Sequence, residues 1–112
     1  MTDTRVVLMT APDQESAERL VRTLLEERII ACGNIVPGVT SLYWWKGVVE
    51  RDTEVQIVVK TTAAEVSRLL ERVPELHPYE VPEVLVLRVE DGHGPYLAWV
   101  RESVVKAQLE QG

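Results

Sequence analysis

Val6-Val7-Leu8-Met9 is a short unbroken apolar run, the pattern of a buried strand. Asp13 follows and suits a helix N-cap, with Glu15 and Glu18 in the first turns, where the helix dipole favours carboxylates. Ala17, Leu20, Val21 and Leu24, with Arg28 in phase, predict an amphipathic helix from about Gln14 to Arg28. Cys32 to Trp45 reads as a strand with a bulge or bend near Pro37-Gly38. Lys46-Gly47 supplies a turn. Val48 to Thr61 then reads as a second strand, with Val55, Ile57 and Val59 on one face. Thr62-Ala63-Ala64-Glu65 has the form of a capping box. The helix it opens carries Val66, Leu69, Leu70 and Val73, and Pro74 ends or kinks it. Pro78 and Pro82 impose an extended connection, and Val84 to Val89 is the last strand. After the loop Asp91-Gly92-His93-Gly94-Pro95, a third helix from Tyr96 carries Leu97, Val100, Val104 and Leu109 on one side.

The order β-α-β-β-α-β with an added C-terminal helix predicts an α+β, ferredoxin-like sandwich in one domain, residues 1–112. Two helices cover one face of a four-stranded antiparallel sheet, and the other face is left without a cover. A compact chain of this length has a radius of gyration of about 13 Å, a sphere roughly 34 Å across. A straight strand from Val48 to Lys60 would span about 43 Å. The long hairpin therefore overhangs its own domain. Its consecutive Tyr43, Trp44 and Trp45 must present rings to both faces. Such a hairpin is a candidate for pairing with a second copy, and a hairpin curled over its own sheet is the alternative.

Charge narrows the partners. Twelve Lys and Arg against eighteen Asp and Glu give a net charge of −6. An acidic domain lacks the electrostatic footprint of a nucleic-acid binder and the basic patch that anionic membranes attract. No apolar run approaches the roughly 18 residues of a membrane span. The single Cys32 excludes an internal disulfide and a four-cysteine zinc site, and it fits a reducing compartment. With no apolar h-region near Met1, a cytoplasmic location is expected. Cys32 follows Ile30 and Ala31 and is expected to pack as a buried thiol.

Several ordered motifs resemble one family. Ala31-Cys32 with Asn34-Ile35, then Pro37-Gly38-Val39-Thr40-Ser41-Leu42-Tyr43-Trp44-Trp45 and Gly47, look like the CutA divalent-cation-tolerance family. Leu76-His77-Pro78-Tyr79-Glu80-Val81-Pro82-Glu83 and Tyr96-Leu97-Ala98-Trp99 resemble its further signatures, so the likeness runs from Val6 to about Ser103. The resemblance implies a ferredoxin-like subunit in a homotrimer joined edge to edge by the long hairpins. It also implies an architecture similar to the PII signal proteins, a link to tolerance of divalent metals, chiefly copper, and no agreed enzymatic activity.

The same resemblance points to metal ligands. In some bacterial members, copper binding is attributed to a Cys at the end of the first strand and a His-His pair before Pro-Tyr. Here Met9 stands in the place of that Cys, Leu76 in the place of the first His, and His77 is kept. Imidazole suits Cu(II), and a thioether favours Cu(I). Glu80 and Glu83 add oxygen donors near His77. Tyr43, Trp44, Trp45, Tyr79 and Trp99 are expected to line an intersubunit groove or to pack at an interface. Lys60 and Arg88 offer charge to an anion, although ion-pair roles are commoner. Glu50, Arg51, Asp52 and Glu54 read as a solvated edge, and His93 as a loop residue.

Three functions fit these residues. One is a trimeric protein binding Cu(II) or another divalent cation in metal tolerance. The second is a PII-like trimer holding a small anionic ligand between subunits. The third is a non-catalytic scaffold. A copper chaperone of this topology would need a Cys-x-x-Cys pair, and no Gly-rich phosphate loop is present.

Overall fold

In the computed structural model, which describes residues 2–111 and side chains through Val104, four strands and three α-helices follow the expected order. They are β1 (Thr4–Ala11), α1 (Gln14–Glu26), β2 (Cys32–Trp45), β3 (Val48–Thr62), α2 (Val66–Leu76), β4 (Leu85–Arg88) and α3 (Gly94–Gln111). Leu109, expected on the apolar side of α3, lies outside the described side chains. The sheet order is β2-β3-β1-β4, and every neighbouring pair is antiparallel.

The Asp13 carboxylate accepts the Ser16 N–H at 2.7 Å and starts α1. This contact holds the Asp13 carboxyl below its ordinary pKa. The helix stops at Glu26, two residues before the expected end, because Arg28 turns left-handed at φ 59°. Ile29 N–H then donates to the Leu24 carbonyl and Arg28 N–H to that of Leu25, a Schellman closure. The Arg28 guanidinium donates to the Ser103 carbonyl at 3.1 Å and ties this turn to α3.

Thr62 makes no side-chain cap, which corrects the expected capping box. A 3-10 turn, Ala63–Glu65, opens α2 instead, and buried Glu65 pairs with Arg68. Pro74 does not end α2, which continues to Leu76. Pro74 has no N–H to offer the Leu70 carbonyl one turn earlier, so the helix runs through it with one bond fewer.

The core lies between the sheet and helices α1 and α2. Val7, Met9 and Ala11 of β1 join Val55, Ile57 and Val59 of β3 there, against Ala17, Leu20, Val21, Leu24, Leu69 and Val73. Gly33 permits the close approach of α1: a Cβ there would lie 2.6 Å from Val21 Cγ1. The opposite face, expected from the sequence to be left without a cover, is partly covered by α3. Cys32, which points away from α1, meets Tyr96 of α3, and Val100 and Val104 bury beside Ala31. Leu85 and Leu87 of edge strand β4 stay exposed.

The hairpin matches the expectation closely. Lys46 and Gly47 both take positive φ, the two-residue turn that suits strand twist. The register slips between Val36 and Val39, where Gly38 has φ 74°. The radius of gyration is 14.9 Å and the long dimension 47 Å, both beyond a sphere of this mass, for which about 13 Å and roughly 34 Å are expected.

Candidate functional site

β1 ends at Ala11, opposite Val55, so the outer half of the hairpin has no strand beside it. The connection from α2 to β4 flanks this region. Between hairpin and connection lies a cleft of about 720 Å³. Thr10, Thr40 to Tyr43, Trp45 and Glu54 line it from the sheet, and Pro78 to Val81 with Glu83 line it from the connection. No Lys, Arg or His is among these lining residues.

His77 sets the connection against the sheet. It caps α2 with an extended backbone, and its N–H donates to the Val73 carbonyl at 2.8 Å. The residue is 7% exposed. Nδ1 accepts the Tyr79 N–H at 3.0 Å, which assigns the ring proton to Nε2. Nε2 lies 2.7 Å from the Thr10 carbonyl and donates to it. Both ring nitrogens are thus engaged by main-chain groups.

Tyr79 carries the arrangement into the cleft. Its ring lies 4.8 Å from that of His77, and its hydroxyl donates to Glu54 Oε2 at 2.5 Å. Burial, and then the bond to Glu54, hold the Tyr79 hydroxyl well above its ordinary pKa. Glu54 is 8% exposed and forms no ion pair among the described residues. Burial, followed by the nearby Glu54 charge, raises the Glu83 carboxyl above its ordinary value. Across the hairpin, the Tyr43 hydroxyl donates to Asp52, which pushes its pKa up to about 12. The cleft is therefore an aromatic-walled space with a negative potential.

The sequence-predicted residues divide into those the cleft gathers and those it does not. Glu80, Glu83, Tyr43, Trp45 and Tyr79 line it, and His77 supports it from behind. Met9 is fully buried in the helix-facing core, where its thioether packs with the neighbouring apolar side chains. Trp44 is 74% exposed and is not among the lining residues. Lys60 donates to the Asn34 side chain, and the Trp99 ring packs tilted against Tyr96 with centroids 5.5 Å apart, both outside the cleft. Cys32 is partly exposed rather than buried, because its face of the sheet meets only the start of α3. Its sulfur lies 3.5 Å from the Tyr96 hydroxyl, the main cause of that tyrosine's rise to about 12. Sequence reasoning missed Glu54, which it left on a solvated edge. The signal available was its place directly before Val55, where the alternating core-facing Val55 and Ile57 of β3 begin.

Comparison with known proteins bears on the whole chain. The family model for the CutA1 divalent ion tolerance protein matches residues 5–103. A divalent-cation tolerance protein CutA of Thermus thermophilus is 49% identical over 98 residues, spanning 88% of this chain and 95% of that protein. One from Escherichia coli is 45% identical over 103 residues, 92% of each chain. Among solved structures, CutA from Xylella fastidiosa superposes with a TM-score of 0.89 at 37% identity, covering 92% of this chain and 99% of that one. The divalent cation tolerance protein from Thermus thermophilus gives a TM-score of 0.87 at 48% identity, covering 89% and 97%.

Proposed function

Because this chain belongs to the CutA1 family of divalent-ion tolerance proteins, we propose that it serves that tolerance by binding a divalent cation in the acidic cleft. One observation carries the reading: Glu54, Glu80 and Glu83 line a single cleft that no cationic side chain lines. Carboxylate oxygens are hard donors and suit divalent ions, Cu(II) and Zn(II) among those that also accept nitrogen. The soft donors fit the site less well, since Met9 is sealed in the core and Cys32 lies toward α3. Among the described residues, no three His, Cys, Asp or Glu side chains form a ready metal cluster. In this reading the ion therefore keeps water or takes a donor from a neighbouring copy.

His77 enters the reading as a positioning residue. It holds Tyr79, and Tyr79 holds Glu54. A small anionic ligand, the PII-like alternative, would meet three carboxylates here, and like charges repel. The role is non-catalytic and the setting cytoplasmic, the latter supported by a lone free cysteine.

The acting unit is proposed to be a homotrimer. Leu42, Trp44 and Val49 expose apolar side chains on one face of the hairpin end, Val48 exposes one on the other, and Leu85 and Leu87 expose the opposite edge strand. Patches of this kind on a small acidic chain mark protein interfaces. Calorimetric titration of the purified protein with Cu(II) and Zn(II), repeated on Glu83→Gln, tests the metal reading. Saturable binding that the variant weakens supports it, and absence of heat with both metals rejects it.

A further inference from the structure

The cleft has a second property that a bare metal ion does not use. Its walls are aromatic: Tyr43 and Trp45 come from the hairpin and Tyr79 from the connection. Aromatic faces attract cations, and organic ammonium ions most of all when carboxylates stand nearby. The volume of about 720 Å³ lies within the range of small-molecule sites, far above that of a dehydrated ion. Glu54 supplies an independent pointer to a cationic ligand. It is a carboxylate more than nine-tenths buried, facing this space, held by one hydroxyl and paired with no cation among the described residues. A buried charge without a counter-ion is costly, and a bound cation would remove that cost. The Lys46 ammonium lies 5.8 Å from the Trp45 ring centroid, at the outer edge of a cation–π contact, and is the cation a ligand would displace or share that ring with.

We propose that this cleft binds a small organic ammonium ion, with Glu54 and Glu83 taking the positive charge and Trp45 and Tyr79 packing its carbon skeleton. The inference rests on the cleft being open to cations, and it does not require that the cleft bind metal. Two sources share the chemistry: an aliphatic polyamine, whose spaced charges match separated carboxylates, and a quaternary ammonium, which favours an aromatic cage.

The test titrates the full-length protein with spermidine and with tetramethylammonium, using tert-butanol as the neutral counterpart. Tryptophan fluorescence and calorimetry report binding. At least one ammonium should bind saturably and about tenfold more tightly than the alcohol. Trp45→Leu, at a half-exposed position that should tolerate the change, and Glu54→Gln should each weaken it by about fivefold or more. Trp99→Leu, outside the cleft, should leave it within about twofold. Preference for spermidine identifies the polyamine source, and preference for tetramethylammonium the quaternary one. Equal binding of the alcohol, no saturation, or indifference to Trp45→Leu overturns the proposal. Cu(II) and Zn(II) titrated into the same samples separate the two claims. Metal binding without ammonium binding rejects this inference alone. Ammonium binding without metal binding rejects the metal reading alone.

Discussion

Replacing His77 separates a ligand from a positioning residue. His77 is 7% exposed, and its imidazole accepts one main-chain N–H at 3.0 Å and donates to one main-chain carbonyl at 2.7 Å. His77→Ala removes both bonds and strands the Thr10 carbonyl and the Tyr79 N–H near the core. Two net hydrogen bonds at about 1 kcal/mol each, plus partial loss of solvation at the stranded groups, sum to about 2–4 kcal/mol. Two conservative variants divide this loss. In His77→Asn, the amide oxygen stands close to Nδ1 and can accept the Tyr79 N–H. In His77→Gln, the amide nitrogen reaches toward Nε2 and can donate to Thr10. Each variant should recover roughly half of the alanine loss, about 1–2 kcal/mol. The assay is urea unfolding followed by circular dichroism at one fixed protein concentration, since self-association would otherwise shift the midpoint. With a slope near 2 kcal/mol/M, His77→Ala should lower the midpoint by about 1–2 M. An alanine cost below about 1 kcal/mol, or no recovery in either amide variant, would refute the positioning role.

Other perturbations reach other parts of the account. Gly33→Ala should destabilise by about 1–3 kcal/mol, because the new Cβ meets Val21 Cγ1 at 2.6 Å. Adding Val21→Ala should relieve that clash in a double-mutant cycle, whereas strictly additive losses would contradict it. Cation affinity in the cleft should fall as pH drops through a value above the ordinary glutamate 4.5, because burial and Glu54 raise the Glu83 carboxyl. The stability effect of Glu83 has the opposite sign: its protonation favours the folded state as pH falls through that raised pKa, so cation-free stability should not fall in step with affinity. Titrations across pH 4–7, paired with urea midpoints, check both directions. Trp44→Lys, at a 74% exposed hairpin position, should reduce self-association in sedimentation velocity while leaving the circular dichroism spectrum unchanged. Unaltered association would argue against the hairpin as the contact.

Much of the fold is legible in the chain because local signals agree. Alternation in β3, helical spacing in α1 and the Lys46-Gly47 turn each point to one answer. The misses arise where tertiary contacts outweigh local ones. Arg28 continues the helical phase, yet it takes the left-handed closure that sends Ile29 into the core. Thr62 and Glu65 have the right spacing for a capping box, yet Glu65 is buried beside Arg68 and the turn tightens to 3-10. The site is less legible than the fold. Residue type and resemblance mark His77, Glu80, Glu83 and three of the aromatics, but spacing along the chain cannot say which of them meet. Glu54 looks like one more surface charge, because its burial depends on Tyr79, 25 residues away, folding back over it. Cys32 looks apolar from its neighbours, while strand parity turns it from α1 toward the thinly covered face.

The most direct test of the central claim is calorimetric titration of Cu(II) and Zn(II) into the wild-type protein, Glu83→Gln and His77→Asn at neutral pH. The account predicts saturable binding of at least one metal by the wild type, a loss of about tenfold or more in Glu83→Gln, and largely preserved binding in His77→Asn. Binding that vanishes in His77→Asn but persists in Glu83→Gln would contradict it and make the imidazole the ligand.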